Sequence, residues 1–448
     1  MSRRRLVRVA RALPALTTAV LLAACTTTPV REPAPAPSAP YAPITVPEVA
    51  TAPTAPIDTN PSPWPRLRQS FAMQGCDYRP EVQRWARIYT RGARQFTANW
   101  KNAMPFLLLV VDELDRRKLP GEFAMLPYVE STYEPLPARG NRPAGMWQLD
   151  PDTAREAGLA VNADYDGRLD AVASTKTALD LLERYYREFS DWRLANMAFN
   201  SGEFRVKKLI GDRDPRTLSA SELAEVAFSK TTHEHLDRLL ALACVIDDPR
   251  KFGVTLPEPR DDDRLQAVTL QAAMDLRLAA RLANVPVTDL RRWNAGYRRN
   301  RMASGAPLDL LLPPSRTARF QASADAVPVA LWSYWREERA ARTSRIGSWA
   351  AQIGVPVAVL ALANAVGQDS TIAPSTQLLL PGREPEPIAE APKKRERGPR
   401  MHIVAAGDTL SHIAHRYSIP LALLKRLNPQ ARGTLHLGDR LRVSVSED

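Results

Sequence analysis

The chain has 448 residues, more than one hydrophobic core usually organises, so two or more domains joined by linkers are expected. Its composition, 44% hydrophobic and 25% charged, is that of a globular protein and narrows the class no further. The formal net charge of +12 suits an anionic partner, nucleic acid among the candidates.

Five arginines (Arg3, Arg4, Arg5, Arg8 and Arg11) precede an apolar run from Ala12 to Ala24 that closes on Leu22-Ala23-Ala24-Cys25. The run contains Pro14 and falls short of the about 20 residues a spanning helix needs, so residues 1–24 read as a secretory signal. Leu-Ala-Ala-Cys resembles a bacterial lipobox, in which small residues admit cleavage just before a Cys that then receives lipid. The resemblance implies lipidation at Cys25 and attachment to a membrane. Thr26 stands where an Asp would favour retention at the inner membrane, which points to the periplasmic face of the outer membrane. An ordinary secreted protein with a Cys near its cleavage site is the alternative. Export excludes nucleic acid and leaves anionic cell wall as the available target of the positive charge.

Between Pro29 and Pro65 lie 12 of the 39 prolines, interleaved with Ala, Ser and Thr, a composition that cannot build a core. Residues 25–72 therefore read as an extended tether with polyproline-II preference. From about Gln74 to Val254 the pattern is helical. Val172, Thr175, Leu179, Leu182, Tyr186 and Phe189 alternate three- and four-residue steps along one apolar stripe, and Phe106–Leu114 reads as a buried helix. One mostly α-helical domain is expected over residues 73–256. Cys76 and Cys244 lie near its two ends; an oxidising compartment permits a bridge, and the sequence leaves open whether it forms.

Three C-terminal segments share a pattern when aligned on an asparagine: Ala280, Pro286, Leu290, Asn294; Ala350, Pro356, Leu360, Asn364; Ala414, Pro420, Leu424, Asn428. Each copy ends in a short apolar strand candidate, Leu310–Leu312, Leu378–Leu380 and Leu441–Val443. A repeated unit of helix, Pro turn, helix and closing strand is expected over 262–315, 332–382 and 401–444. Residues 383–400, rich in Pro and charge, read as a linker.

The chemistry centres on Leu126-Pro127-Tyr128-Val129-Glu130-Ser131, which sets one carboxylate among apolar and aromatic neighbours. Such surroundings favour the protonated form that a general acid needs. Gly145-Met146-Trp147-Gln148-Leu149 follows, and then Ala198-Phe199-Asn200-Ser201-Gly202-Glu203. In this order and with these gaps, the motifs resemble the lysozyme-like soluble lytic transglycosylase domain of the membrane-bound type D branch. Tyr165–Thr175 fits the same branch, and the resemblance runs from about Tyr78 to Leu256. It implies a peptidoglycan lyase that cleaves the MurNAc-(β1,4)-GlcNAc bond without water, forming a 1,6-anhydro end, with Glu130 as its single acid and base. Ser131, Met146, Gln148, Phe199 and Asn200 would border the substrate, with Trp147 in packing. Glu134 and Asp150 are the nearest other carboxylates and match no family position.

Three residues depart from the family pattern. Phe199 stands where a Tyr is common, Arg139 where a Ser is usual, and His235 where related segments carry Tyr. They motivate the alternative of a catalytically weakened peptidoglycan-binding scaffold. His233 and His235 have no third ligand nearby, so neither a metal nor a cofactor is expected.

Residues His402–Ala414, with Asn428, Leu437, Gly438, Asp439 and Leu441, resemble a LysM domain, a βααβ fold that binds N-acetylglucosamine-containing glycan. Its groove residues would be Gly407, Asp408, Thr409, Leu410 and Ile419. The two earlier copies lack the Gly-Asp-Thr-Leu start and read as degenerate packing or spacer modules. The expected fold is mainly α: a lysozyme-like helical catalytic domain followed by small α+β (βααβ) LysM-type modules.

Overall fold

The computed structural model describes residues 61–137, 142–302 and 305–382, and, toward the C-terminus, 401–404, 409–410, 413–414, 417, 419–431, 435 and 438–443. The expectations for Cys25, Arg139, Gly407 and Asp408 lie outside the described residues, as do residues 383–400 and most of the segment read as a tether. Among the described residues no single helix is long and apolar enough to cross a membrane.

The helical domain comprises α1 (Pro63–Ser70), α2 (Pro80–Thr90), α3 (Ala93–Arg117), α4 (Leu126–Ser131), α5 (Pro151–Glu156), α6 (Ala171–Phe189), α7 (Trp192–Ser201), α8 (Glu203–Ile210), α9 (Ala220–Glu225) and α10 (Lys230–Asp247). Its axis is α10, where every residue from Leu239 to Ile246 is buried and which packs against α2, α4 and α7. A helix apolar on all sides belongs inside, and this one has neighbours on all sides. In α3, Phe106, Leu107, Leu108, Val110, Val111 and Leu114 are buried as expected.

The expected stripe on α6 holds at Thr175, Leu179, Leu182 and Phe189, which are buried, and Tyr186 packs partly against the core; Val172 alone departs from it, 47% exposed, with Ala171 buried in its place. The helix starts at Asp170, whose carboxylate accepts hydrogen bonds from the amides of Val172 and Ala173 at 3.0 and 2.8 Å. That cap sets Val172 in the first turn facing solvent.

The tether assignment fails at its end. Residues 63–70 form α1, with Trp64 and Leu67 buried. Trp64 meets Trp100 edge-on at 5.4 Å and donates its indole N–H to the Pro257 carbonyl at 2.8 Å. Arg66 bonds Asp112 and Asp115 on α3. The prolines misled because Pro63 and Pro65 occupy the first helical turn, where a missing N–H breaks no helical bond. Just beyond, the amides of Ala72 and Met73 donate to Glu122, whose burial pushes its carboxyl up from the ordinary value. Cys76 and Cys244 are disulfide-bonded, with Cα atoms 5.0 Å apart, joining the segment before α2 to α10.

The first two repeats each set two helices between paired strands, and the described residues of the third keep the paired strands and the second helix. In the first, β1 (Gln266–Thr269) pairs antiparallel with β2 (Asp309–Leu312) around α11 (Leu276–Ala283) and α12 (Val287–Trp293). It does not stop at 315: α13 (Pro314–Asp325) continues it, burying Phe320 and packing on α11. In the second, β3 (Trp335–Arg339) pairs with β6 (Gln377–Pro381), and the short β4 (Ser344–Arg345) and β5 (Thr371–Ile372) flank α14 (Ile346–Ile353) and α15 (Val357–Ala363). In the third, β7 (Met401–Ile403) pairs with β8 (Arg440–Arg442), with α16 (Leu421–Leu427) between.

The shared asparagine explains the repeat. Asn294 donates to the carbonyls of Leu290 and Leu311 and accepts the Leu311 amide at 2.8 Å. Asn364 does the same with Leu360 and Leu379, and Asn428 with Leu424 and Arg442. One amide side chain thus ties the end of the second helix to the closing strand. An Asp would lack the donor, and a Leu would leave backbone groups unpaired. The repeated prolines, Pro286, Pro356 and Pro420, each stand at the N-cap of the second helix.

The first module is not a free spacer. Gly296 accepts the Asp166 amide at 2.9 Å, the Arg298 amide donates to Asp164 at 2.9 Å, and Tyr165 and Tyr297 meet at 5.6 Å. A Cβ on Gly296 would come within 2.9 Å of the Tyr165 ring, so only glycine admits this approach. Arg292 pairs with Glu134 and lies over the Phe106 ring. The second module joins the first through buried Asp275, which caps α11 and accepts the Trp335 amide at 3.2 Å.

Candidate active site

Glu130 lies near the end of α4, a six-residue helix fed by the 3-10 turn Gly121–Met125. Tyr128 stacks on Trp100 at 4.5 Å beneath it and receives an Asn99 hydrogen bond at 3.1 Å. Two consecutive non-glycine residues, Thr132 and Tyr133, end the helix in the left-handed region at φ 56° and 62°. Each such turn costs about 1 kcal/mol or more. The fully buried Tyr133, whose hydroxyl donates to the Ala124 carbonyl at 2.7 Å, holds the bend in place. The Glu130 side chain is left 18% exposed, reachable from solvent at one edge and packed on the others.

The Gly-Met-Trp-Gln loop closes beside it. Ser131 Oγ donates to the Met146 carbonyl at 2.9 Å and to the Pro127 carbonyl at 3.2 Å, fastening the loop to α4. Gly145 has φ 79°, and a Cβ there would overlap the Arg168 carbonyl, so the motif's glycine is a requirement of packing. Buried Arg168, paired with Asp166, also donates to the Arg142 carbonyl at 3.0 Å. The segment 165–175 therefore braces the loop from behind.

On the far side, His235 Nε2 lies 2.8 Å from Glu130 Oε1, and His235 Nδ1 lies 3.2 Å from Asn196 Oδ1. His235 is 5% exposed and Asn196 fully buried. Arg238, one turn along α10, donates to the Val129 carbonyl at 3.0 Å and to the Tyr89 hydroxyl at 2.8 Å. Both α10 residues thus hold α4, one by the carboxylate and one by its backbone. Glu134 and Asp150 are occupied elsewhere: Glu134 pairs with Arg292, and Asp150 caps α5 through the Asp152 amide.

Residues 112–218 match the family model described as Transglycosylase SLT domain, 264–329 that described as Lytic transglycosylase MltD, LysM-like domain, and 402–444 that described as LysM domain. Membrane-bound lytic murein transglycosylase D of Escherichia coli strain K12 is 28% identical over 358 residues, covering 77% of each chain; the protein of that name from E. coli O6:H1 strain CFT073 matches equally. The chain thus carries a transglycosylase SLT domain, an MltD-type LysM-like domain and a LysM domain, and along most of its length it is similar to the type D lytic transglycosylases. It is therefore an enzyme, and the fold is the expected helical domain followed by small α+β modules.

Within this transglycosylase the residues picked from the sequence divide. Ser131 and Gln148 border Glu130's loop, Gln148 with φ 46° and its amide bonded to the Gly145 carbonyl at 2.7 Å. Met146 does not border a groove: it is 2% exposed, and its side chain joins the core. Trp147 packs, as expected, with its N–H on Thr175 at 3.1 Å. Phe199 is half-buried edge-on to Trp147 at 6.4 Å, and Asn200 is exposed. His233 and His235 both lie on α10, and His233 turns to the Val226 carbonyl. In the third module Thr409 is exposed, while Leu410 and Ile419 pack partly against its core.

Asn196 and Arg238 escaped the sequence reading, and His235 entered it as a departure and as a rejected metal ligand, not as a partner of Glu130. The available signal was a polar residue amid buried apolar neighbours, as in Leu194-Ala195-Asn196-Met197-Ala198.

Proposed function

We propose that Glu130 is the single general acid and base of a peptidoglycan lytic transglycosylase. It donates its proton to the glycosidic oxygen as the bond from that oxygen to C1 of the muramyl sugar breaks, and positive charge develops at C1. The resulting carboxylate then accepts the proton of the same sugar's C6 hydroxyl as that oxygen closes on C1. A 1,6-anhydro end forms, Glu130 is protonated again, and no water is consumed. Two-carboxylate glycosidases need a second group to activate water or to form a covalent sugar. The observation that carries the one-carboxylate reading is the disposition of the neighbours: Glu130 is held at a partly open edge, while Glu134 and Asp150 are committed to an ion pair and a helix cap.

The third module, we infer, binds the GlcNAc-containing strand through the Gly407–Leu410 start and Ile419, raising the local concentration of scissile bonds. Lipid on Cys25 would hold the enzyme at the periplasmic face of the outer membrane, within reach of the wall. The scaffold alternative rested on the departures at 139, 199 and 235, two of which remove a tyrosine hydroxyl. At 235 the histidine itself makes a hydrogen bond with Glu130, which favours the enzyme. Glu130→Gln should abolish release of muropeptides from purified sacculi while co-sedimentation with sacculi stays unchanged. Retained turnover would sink the assignment of Glu130.

A further inference from the structure

We propose that His235 is the positioning residue of this site, donating its Nε2–H to Oε1 of Glu130, with Asn196 fixing the imidazole tautomer that makes this possible. The inference rests on Glu130 being the acid and base. A group that cycles between carboxylic acid and carboxylate needs a holder that suits both states. A neutral imidazole N–H does so, because Oε1 accepts from it whether Glu130 is protonated or not, leaving Oε2 free to carry the transferred proton. A partner that only accepted would fit the acid and repel the carboxylate.

The ring's other nitrogen decides which kind of partner His235 is. With Oδ1 of Asn196 turned to Nδ1, the Asn196 NH2 group is fully buried and has no hydrogen-bond partner. Turning the amide over presents that NH2 to the lone pair on Nδ1, pairs it, and puts the ring proton on Nε2, facing Glu130. Burial keeps the line of three dry: Asn196 is fully buried, His235 5% exposed, and the glutamate side chain 18% exposed. The three residues come from α7, α10 and α4, and α10 packs directly on both of the others. The neighbouring charges are engaged with other partners: Asp237 with Arg79, and Arg238 with Tyr89 and the Val129 carbonyl. His235 is thus the side chain on α10 directed at the carboxylate.

The test uses the mature chain on purified sacculi. His235→Phe keeps a ring and removes both nitrogens; kcat should fall about 100-fold, the size of a misplaced catalytic group, with KM and melting temperature nearly unchanged. His235→Gln places an amide N–H near the position of Nε2 and should recover activity to within about tenfold of wild type. A kcat for His235→Phe within about threefold of wild type overturns the inference, as does a His235→Gln variant as slow as His235→Phe. In wild-type protein labelled with 15N-histidine, the inference requires His235 protonated at Nε2 with Nδ1 bare; the opposite tautomer overturns it without any variant. Turnover in wild type that Glu130→Gln does not remove would take down the assignment of Glu130 and the inference with it. Loss in Glu130→Gln without loss in His235→Phe would take down the inference alone.

Discussion

The first and third modules close on the same asparagine clasp yet do opposite things with their surfaces. The third has its own small core of Val404, Ile413, Ala414, Leu424, Leu441 and Val443. The first shares one continuous core with the helical domain, through Leu276, Leu290, Trp293 and Tyr297. Two residues beyond the clasp, the first module has Gly296, where the second has Val366 and the third Gln430. That glycine lets the backbone reach Asp166 beside the Tyr165 ring. The repeat therefore encodes how a module closes, and single positions outside it encode what the module docks on.

The largest effect is expected where an element read as free is in fact docked. A chain beginning at Ala72 loses Trp64 and Leu67 from the core, at about 1.5–3 kcal/mol for each side chain, or roughly 3–6 kcal/mol together. Denaturant unfolding of the two lengths measures this. Equal midpoints would show that α1 is as dispensable as its proline content suggested.

The clasp sharpens the comparison by a smaller amount. Asn294→Ala and Asn428→Ala each strand buried backbone groups and should each cost roughly 2–4 kcal/mol. The consequences should separate. Asn294→Ala lowers the melting temperature of the catalytic body and its turnover. Asn428→Ala weakens sacculus binding and leaves cleavage of short soluble glycan intact. Calorimetry that finds both variants lowering the same transition would erase the distinction between a docked and a self-standing module.

What the sequence made legible follows the range of the interactions. The helical pattern, the three modules and the order of the Glu130, Gly145 and Asn200 motifs are local signals, and the structure keeps them. Asn294, Asn364 and Asn428 were visible as a repeat, although their hydrogen-bonding role required the strands to be in place. Contacts between distant segments were not visible. Glu130 and His235 are 105 residues apart in the chain, and the substitution at His235 registered as a lost hydroxyl because its new partner could not be seen. Met146 was assigned to the groove by its neighbours in the motif, but the loop turns its side chain into the core and uses its carbonyl to hold Ser131. The proline-rich N-terminal run hid a helix because proline at a first turn and proline in a tether have the same composition.

The central claim, that one carboxylate cleaves glycan without water, is tested most directly by digesting sacculi in H2(18)O and weighing the released muropeptides. The account predicts 1,6-anhydro products carrying no (18)O. Products with reducing ends that incorporate (18)O would identify a hydrolase and contradict it.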